Sequence, residues 1–298
     1  MAHSMLQLSA ILAALCCAAA AAGAAADAAP PPAEAAAAML KQVEQMVLDD
    51  KDVDAADEHG NTYLMWAAQE GHVEVVDALL QAGAKADSVN KHGQGPLIAA
   101  ALHGHTGAVR ALVEGGANPN LEHKSGGSAL TAAAFQGYAG AVQALLDAGA
   151  NIDRTGAGLS ALSLASSQGH ANVVAVLIQN KANLELPGLE GRTALHLAAE
   201  AGFSATVALL IKGGANVEHV QADGGTALLA VVRKGEKMAA AQLLIGGARP
   251  TAVNKLGQTA KSLALDDEME ALLSMDPSQL VMWCAHVPLP PACCPCRC

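Results

Sequence analysis

Seven glycines constrain this chain more than any other feature: Gly60, Gly93, Gly126, Gly158, Gly191, Gly224 and Gly257 follow one another at steps of 33, 33, 32, 33, 33 and 33 residues. A chain that returns to itself at such an interval builds one supersecondary unit repeatedly. Each unit leaves an apolar face that only its neighbour can bury, so the units must stack. A core assembled from elements in an unrelated order would not keep this step.

Each unit has the same internal grammar. A short apolar segment follows the repeat glycine, as in NTYLMWAAQEG, QGPLIAAALHG and RTALHLAAEAG. Thr62, Ser128, Ser160, Thr193, Thr226 and Thr259 stand where a helix N-cap would accept from orphan amides. Gly95 takes that place once, and Pro96 behind it suits a first helical turn. Gly71, Gly104, Gly137, Gly169, Gly202 and Gly235 close the helix where a left-handed residue is needed. A second helix follows, with Val73, Val76, Leu79 and Leu80 on one stripe in the first unit. A glycine turn (GAKAD, GANPN, GANID, GANVE) and a polar loop then lead to the next repeat glycine.

This pattern resembles the ankyrin repeat family, whose unit is a β-turn plus two antiparallel helices with a T-P-L-H-x-A signature. Thr193-Ala-Leu-His-Leu-Ala-Ala199 and Gly71-His-Val-Glu-Val-Val-Asp-Ala-Leu-Leu80 carry the likeness, which spans about residues 34 to 275. The resemblance implies an all-α solenoid of stacked helix pairs with short β-hairpin tips. Residues 34–59 read as an N-terminal half-repeat cap, 60–256 as six repeats and 257–276 as a C-terminal capping repeat. In the last unit Lys261 replaces a core leucine and Glu268 a turn glycine, as a terminal repeat with a polar outer face requires. The loop between Asp153 and Gly158 is one residue short, which predicts a tighter hairpin there and an unbroken stack.

The two ends read differently. Residues 1–26 hold an apolar run followed by small residues, the outline of a signal peptide, although Met1 to Ser4 contribute no Lys or Arg. If that segment is a leader, the protein enters the secretory pathway; otherwise it is expected in the cytoplasm. Residues 27–33 form an Ala/Pro linker, and 277–298 a Pro/Cys-rich tail expected to be disordered, within which Leu280, Val281, Met282 and Trp283 could add a packed turn. None of the seven cysteines lies between residues 18 and 283, so the array relies on packing without a disulfide framework.

Composition narrows the function. A net charge of −11 disfavours nucleic acid, whose binding depends on Lys and Arg at phosphates. No run beyond the N-terminal one approaches the ~20 apolar residues of a membrane span. No H-E-x-x-H, phosphate-binding loop or nucleophile elbow occurs. The expectation is therefore a monomeric protein-binding scaffold without catalytic activity or cofactor, bound to another protein. A second reading, metal or small-molecule handling, rests on the eleven histidines and the cysteine tail. His59 and His92 occupy matching hairpin tips, but units stack roughly 10 Å apart, too far for one ion to reach both.

The family resemblance implies that partners touch the hairpin tips and the exposed ends of the first helices, on a concave face. On this sequence that gives Glu58, His59, His92 and Leu189 at tips, and Leu159 and Arg192 just after repeat glycines. It gives Leu102, His103, Phe135, Gln136, Glu200 and Arg233 at helix ends. Leu102, Phe135, Leu159 and Leu189 fall in consecutive units, and either form an apolar patch with a polar rim or tuck into the stack. The patch predicts that Phe135→Asp or Leu102→Asp abolishes partner capture with thermal unfolding unchanged.

Overall fold

The computed structural model describes residues 32–49 and 51–286. The leader expected over 1–26, residues 27–31 of the linker and residues 287–298 of the tail lie outside the described residues. Two compact units divide the described residues, one running up to residue 151 with 155–157, the other of 152–154 with 158–286.

The first unit contains α1 (Pro32–Leu48), α2 (Tyr63–Glu70), α3 (Val73–Gln81), α4 (Pro96–Leu102), α5 (Thr106–Glu114), α6 (Ala129–Gln136), α7 (Ala139–Asp147) and the two-residue β1 (Thr155–Gly156). The first helices α2, α4 and α6 pack in order, and α1, α3, α5 and α7 form a second layer behind them. The second unit contains β2 (Leu159–Ser160), α8 (Ala161–Ser167), α9 (Ala171–Gln179), a 3-10 turn at Leu189–Gly191, α10 (Ala194–Glu200), α11 (Ser204–Lys212), α12 (Ala227–Lys234), α13 (Lys237–Ile245), α14 (Ala260–Leu263), α15 (Asp267–Ser274) and α16 (Pro277–His286). There α8, α10, α12 and α14 make one layer and α9, α11 and α13 the other, with α15 and α16 closing against α13.

The core is as periodic as the glycines. Leu64, Leu97, Leu130, Leu162, Leu195 and Leu228 on first helices, and Leu79, Leu112, Leu145, Leu177, Leu210 and Leu243 on second helices, are all buried. Each contributes about 2 kcal/mol by leaving water. Alanines fill the space between them and allow close approach of helix axes. Gly104, at φ 75°, shows why the closing residue must be glycine: a Cβ there would sit 2.6 Å from the Tyr138 ring of the next repeat.

The caps follow the sequence with one exception. Thr62, Ser128, Ser160 and Thr259 accept from the amides of Met65, Thr131, Ser163 and Ser262. Thr193 pairs with His196 in a capping box. Thr226 keeps the extended N-cap backbone but makes no side-chain cap bond, and its buried hydroxyl lacks a partner.

Two further joints tie repeat to repeat. The first is a ladder of side-chain acceptors, each taking a backbone N–H from the next repeat. Asp54, Asp87, Asn120, Asp153, Glu185 and Glu218 accept from the amides of Lys85, Asn118, Asn151, Asn183, Asn216 and Arg249 at 2.7–2.9 Å. The second runs between hairpins: the amides of Lys91, Ala222 and Lys255 donate to the carbonyls of His59, Glu190 and Asp223. Removing one ladder acceptor leaves an amide without its partner. Asp87→Ala is therefore expected to lower unfolding stability by about 1–2 kcal/mol, seen as a lower urea midpoint. Asp77→Ala, on the exposed face of α3, should leave the midpoint in place.

The structure moves two boundaries and shortens one helix. Pro32 and Ala33, assigned to the linker, already belong to α1, where proline suits a first turn. Residues 277–286, assigned to a disordered tail, form α16, because Leu280 finds a buried site (1 % exposed) as the helix packs on α13. The capping repeat has a first helix of only four residues, since Ala264 leaves the helical region and Asp266 immediately caps α15. The hairpins carry little strand: besides β1 and β2, the described residues show the isolated bridges Ala56–Thr62 and Glu122–Ser128.

Candidate functional site

The repeat grammar leaves a few positions free on the first-helix face: the residue after the repeat glycine, the residue six beyond that glycine, and the last turn of the helix. Their occupants differ between the two units.

In the first unit the position six beyond the glycine is Trp66, then Ala99, then Ala132. Trp66 keeps 39 % of its surface exposed, while the two alanines after it leave room. Two shallow depressions result. One is lined by Asn61, Met65, Trp66, Gln69, Asn90, Gln94 and Ala99. The other is lined by Gln94, Ile98, Leu102, His123, Gly127, Ser128 and Ala132. Gln94 stands between them and belongs to both. An aromatic body flanked by amide groups offers apolar area together with hydrogen-bonding partners.

Trp66 was not among the sequence candidates. The signal was present: every corresponding position in the five following repeats (Ala99, Ala132, Leu164, Leu197, Ala230) is aliphatic, and the chain has only two tryptophans.

Leu102, Phe135 and Leu159 do not form an exposed apolar patch. They are 4 %, 8 % and 2 % exposed. Apolar side chains at these positions fold down between adjacent repeats, whereas the charged Arg233 at the position matching Phe135 remains exposed. Leu102 still forms part of the second depression's floor. Leu189 is half-buried, its side chain lying over Gly158 of the preceding repeat, and Leu159 lies against Gly188. His103 and Gln136 are half-buried at the ends of α4 and α6. His103 Nδ1 lies 3.0 Å from the Ala99 carbonyl, and its ring stacks on His105.

In the second unit the same face is charged. Arg192 reaches Glu190 at 2.7 Å through Nη2 and Glu200 at 3.2 Å through Nη1. Burial pushes the Glu200 carboxyl above the usual carboxylate range, and Arg192, Arg233 and Lys234 partly offset that. Arg233 itself is exposed at the end of α12. Here Leu164 and Leu197 occupy the position of Trp66 and the alanines.

The tips carry exposed Glu58, His59 and His92. His59 stands 3.6 Å from Glu58. The His123 imidazole is held below its usual range by burial and by His92 and Lys124 nearby. His196 is fully buried, with Nδ1 3.0 Å from the Thr193 hydroxyl and its ring edge-on to His219. Burial, foremost, pushes its pKa down to about 4. Among the described residues no group of three or more His, Cys, Asp or Glu is placed to hold a metal ion. Of the cysteines, Cys284 on α16 is described and half-buried. No helix among the described residues is long and apolar enough to cross a membrane.

A family model described as ankyrin repeats (3 copies) matches residues 33–89, 64–156 and 130–221, together more than half of the chain. The chain belongs to the ankyrin repeat family. Its fold is the ankyrin solenoid, and the solved structures agree. The human ASB11 ankyrin repeat domain is 28 % identical with a TM-score of 0.65, the match covering 72 % of this chain and 97 % of that one. The ankyrin repeat domain of Bcl-3, a member of the IkappaB protein family, is 27 % identical with a TM-score of 0.65, covering 73 % of this chain and all of that one. No curated protein sequence gives a significant match. Ankyrin repeats as a family mediate protein–protein interaction and are generally non-catalytic scaffolding.

Proposed function

We propose that this chain is a protein-binding scaffold with no chemistry of its own, and that its partner lies across the first helices of the first unit. The supporting observation is the pair of depressions that share Gln94, with Trp66 as the exposed aromatic anchor. Hot spots concentrate on such aromatic side chains set among contacts that exclude water. The side-chain amides of Gln69 and Gln94 border this surface and suit a partner's backbone.

The second unit supports the reading less. At the positions matching Trp66, Ala99 and Ala132 it has Leu164, Leu197 and Ala230, all buried, and Arg192 beside them is already engaged with two carboxylates. The net charge of −11 keeps nucleic acid and anionic membrane surfaces out of the proposal.

The test uses the full chain as affinity bait, followed by mass spectrometry and quantitative binding of the captured protein. Trp66→Ala and Gln94→Arg should each weaken that binding at least about tenfold, the loss of roughly 1.4 kcal/mol or more at a hot spot. Thermal unfolding should stay close to wild type, since neither side chain is in the core. Full binding by both variants would place the partner elsewhere.

A further inference from the structure

Every joint between repeats has two sides, and two of these sides meet no further repeat among the described residues. At three of the joints, Lys91 to His59, Ala222 to Glu190 and Lys255 to Asp223, the amide two residues before a repeat glycine donates to the carbonyl one residue before the previous repeat glycine. The next acceptor in that series is the Leu256 carbonyl, and the first donor is the Glu58 amide. Neither makes a joint of this kind among the described residues.

The surroundings show the same incompleteness. A Cβ on Gly60, Gly93, Gly126, Gly158, Gly191 or Gly224 would meet atoms of the next hairpin, whereas one on Gly257 would meet nothing within 4 Å. The cap residues Thr62, Ser128, Ser160, Thr193 and Thr226 are buried, while Thr259 is half-exposed. At the other end, Asn90 is 7 % exposed, its side chain bonded to Asn61 of the preceding repeat, while the matching Asp57 is exposed.

The two open sides are complementary in charge, and the last one also exposes an apolar residue. The segment from Ile245 to Leu265 contains no Asp or Glu and carries Arg249, Lys255 and Lys261. Arg249 and Lys255 are engaged within the chain, by Glu218 and the Ala222 carbonyl, and Lys261 is exposed. The first hairpin presents Asp52, Asp54, Asp57 and Glu58 against Lys51. Leu256, 81 % exposed, is the large apolar residue at a tip position held elsewhere by His59, His92, Ser125, Ala157, Glu190 and Asp223.

We propose that the last repeat docks the first hairpin of a second copy of this chain, continuing the repeat-to-repeat joint between molecules head to tail. The contact is heterologous: one copy's Leu256 edge meets the other's Glu58 edge, and each copy retains one open side of each kind. Such a contact propagates into chains or rings and does not stop at two. Under this proposal the chain is not the monomer expected from sequence.

Sedimentation velocity of the purified full chain tests it. In low salt the average mass should climb with concentration beyond that of a dimer, and high salt should reduce it. Leu256→Asp blocks one edge and Glu58→Arg the other, both at exposed side chains. Each variant alone should stay at monomer mass with an unchanged helical spectrum, and an equimolar mixture should form dimers and nothing larger. Three results overturn the proposal. Wild type that is monomeric at every concentration means the edge is idle or covered by its own chain. A Glu58→Arg variant that still self-associates means the last repeat pairs with itself. A mixture that stays monomeric means the two edges do not meet.

Discussion

Phe135→Asp is expected to unfold the first unit's third repeat, lowering stability by about 4 kcal/mol or more. The ring is 8 % exposed at the end of α6, so truncation alone forfeits roughly 3–5 kcal/mol of burial and packing. A carboxylate left in that space adds a desolvation cost of several kcal/mol unless it takes up a proton. The second unit shows what a carboxylate needs there. Glu200 occupies the matching position and is held by Arg192, yet burial still raises its pKa. In the repeat of Phe135 the residue matching Arg192 is Gly127, which offers no cation. Gln136→Asp, one residue on and half-buried, should change stability by less than about 1 kcal/mol. Urea unfolding followed by circular dichroism measures both, and equal midpoints for Phe135→Asp and wild type would contradict the packing described. Loss of partner capture by Phe135→Asp therefore reports unfolding, Leu102→Asp combines unfolding with a change in the floor of the second depression, and Trp66→Ala is the variant that reports on the surface.

Acid should weaken the second unit through His196. Its folded pKa is pushed down to about 4 from the ordinary 6.5, by burial first and by the nearness of His219, with Arg192 adding and the Gly225 backbone and Asp223 opposing. The sign follows directly. Below pH 6.5 the unfolded chain takes up a proton that the folded chain refuses until about pH 4. Stability present above pH 6.5 is lost progressively as pH falls through that window, by about 3 kcal/mol from this residue. His196→Asn should be less stable than wild type at neutral pH, but the gap between them should close as pH falls to 4. Glu200 titrates in both proteins, so its opposite contribution cancels in the difference. A gap that stays constant between pH 7 and 4 would show that His196 is not held neutral by the fold.

The fold was legible because its determinants are local and recur. Gly71, Gly104 and Gly235 needed only their position after a helix to be placed in the left-handed region, where they lie. Thr62 and Ser128 needed only an apolar run behind them to be assigned as caps. What sequence could not supply was the direction of a side chain at a position the grammar leaves free. Leu102 and Arg233 stand at the same place in their repeats, and one turns inward while the other stays in water. Chemistry decides that, through the depth of the space left by neighbours such as Ala99, Ala132 and Gly127. Trp66 escaped attention for the same reason: the depression beside it is left by the small Ala99 of the next repeat. The helix at residues 277–286 was hidden because its burial rests on contact with α13, some forty residues earlier in the chain.

The amide ladder has an evolutionary consequence. Each rung joins one carboxylate or amide side chain to a backbone group a full unit later, and both halves of a rung are carried by every complete unit. Duplicating or excising one whole unit would therefore regenerate matching rungs on either side of the splice without any compensating substitution. The shortened loop between Asp153 and Gly158 shows the tolerance on a small scale. The rungs on either side of it, from Asn120 to Asn151 and from Asp153 to Asn183, both survive the missing residue. Length in such a molecule can change by copying, while its individual joints stay chemically constant.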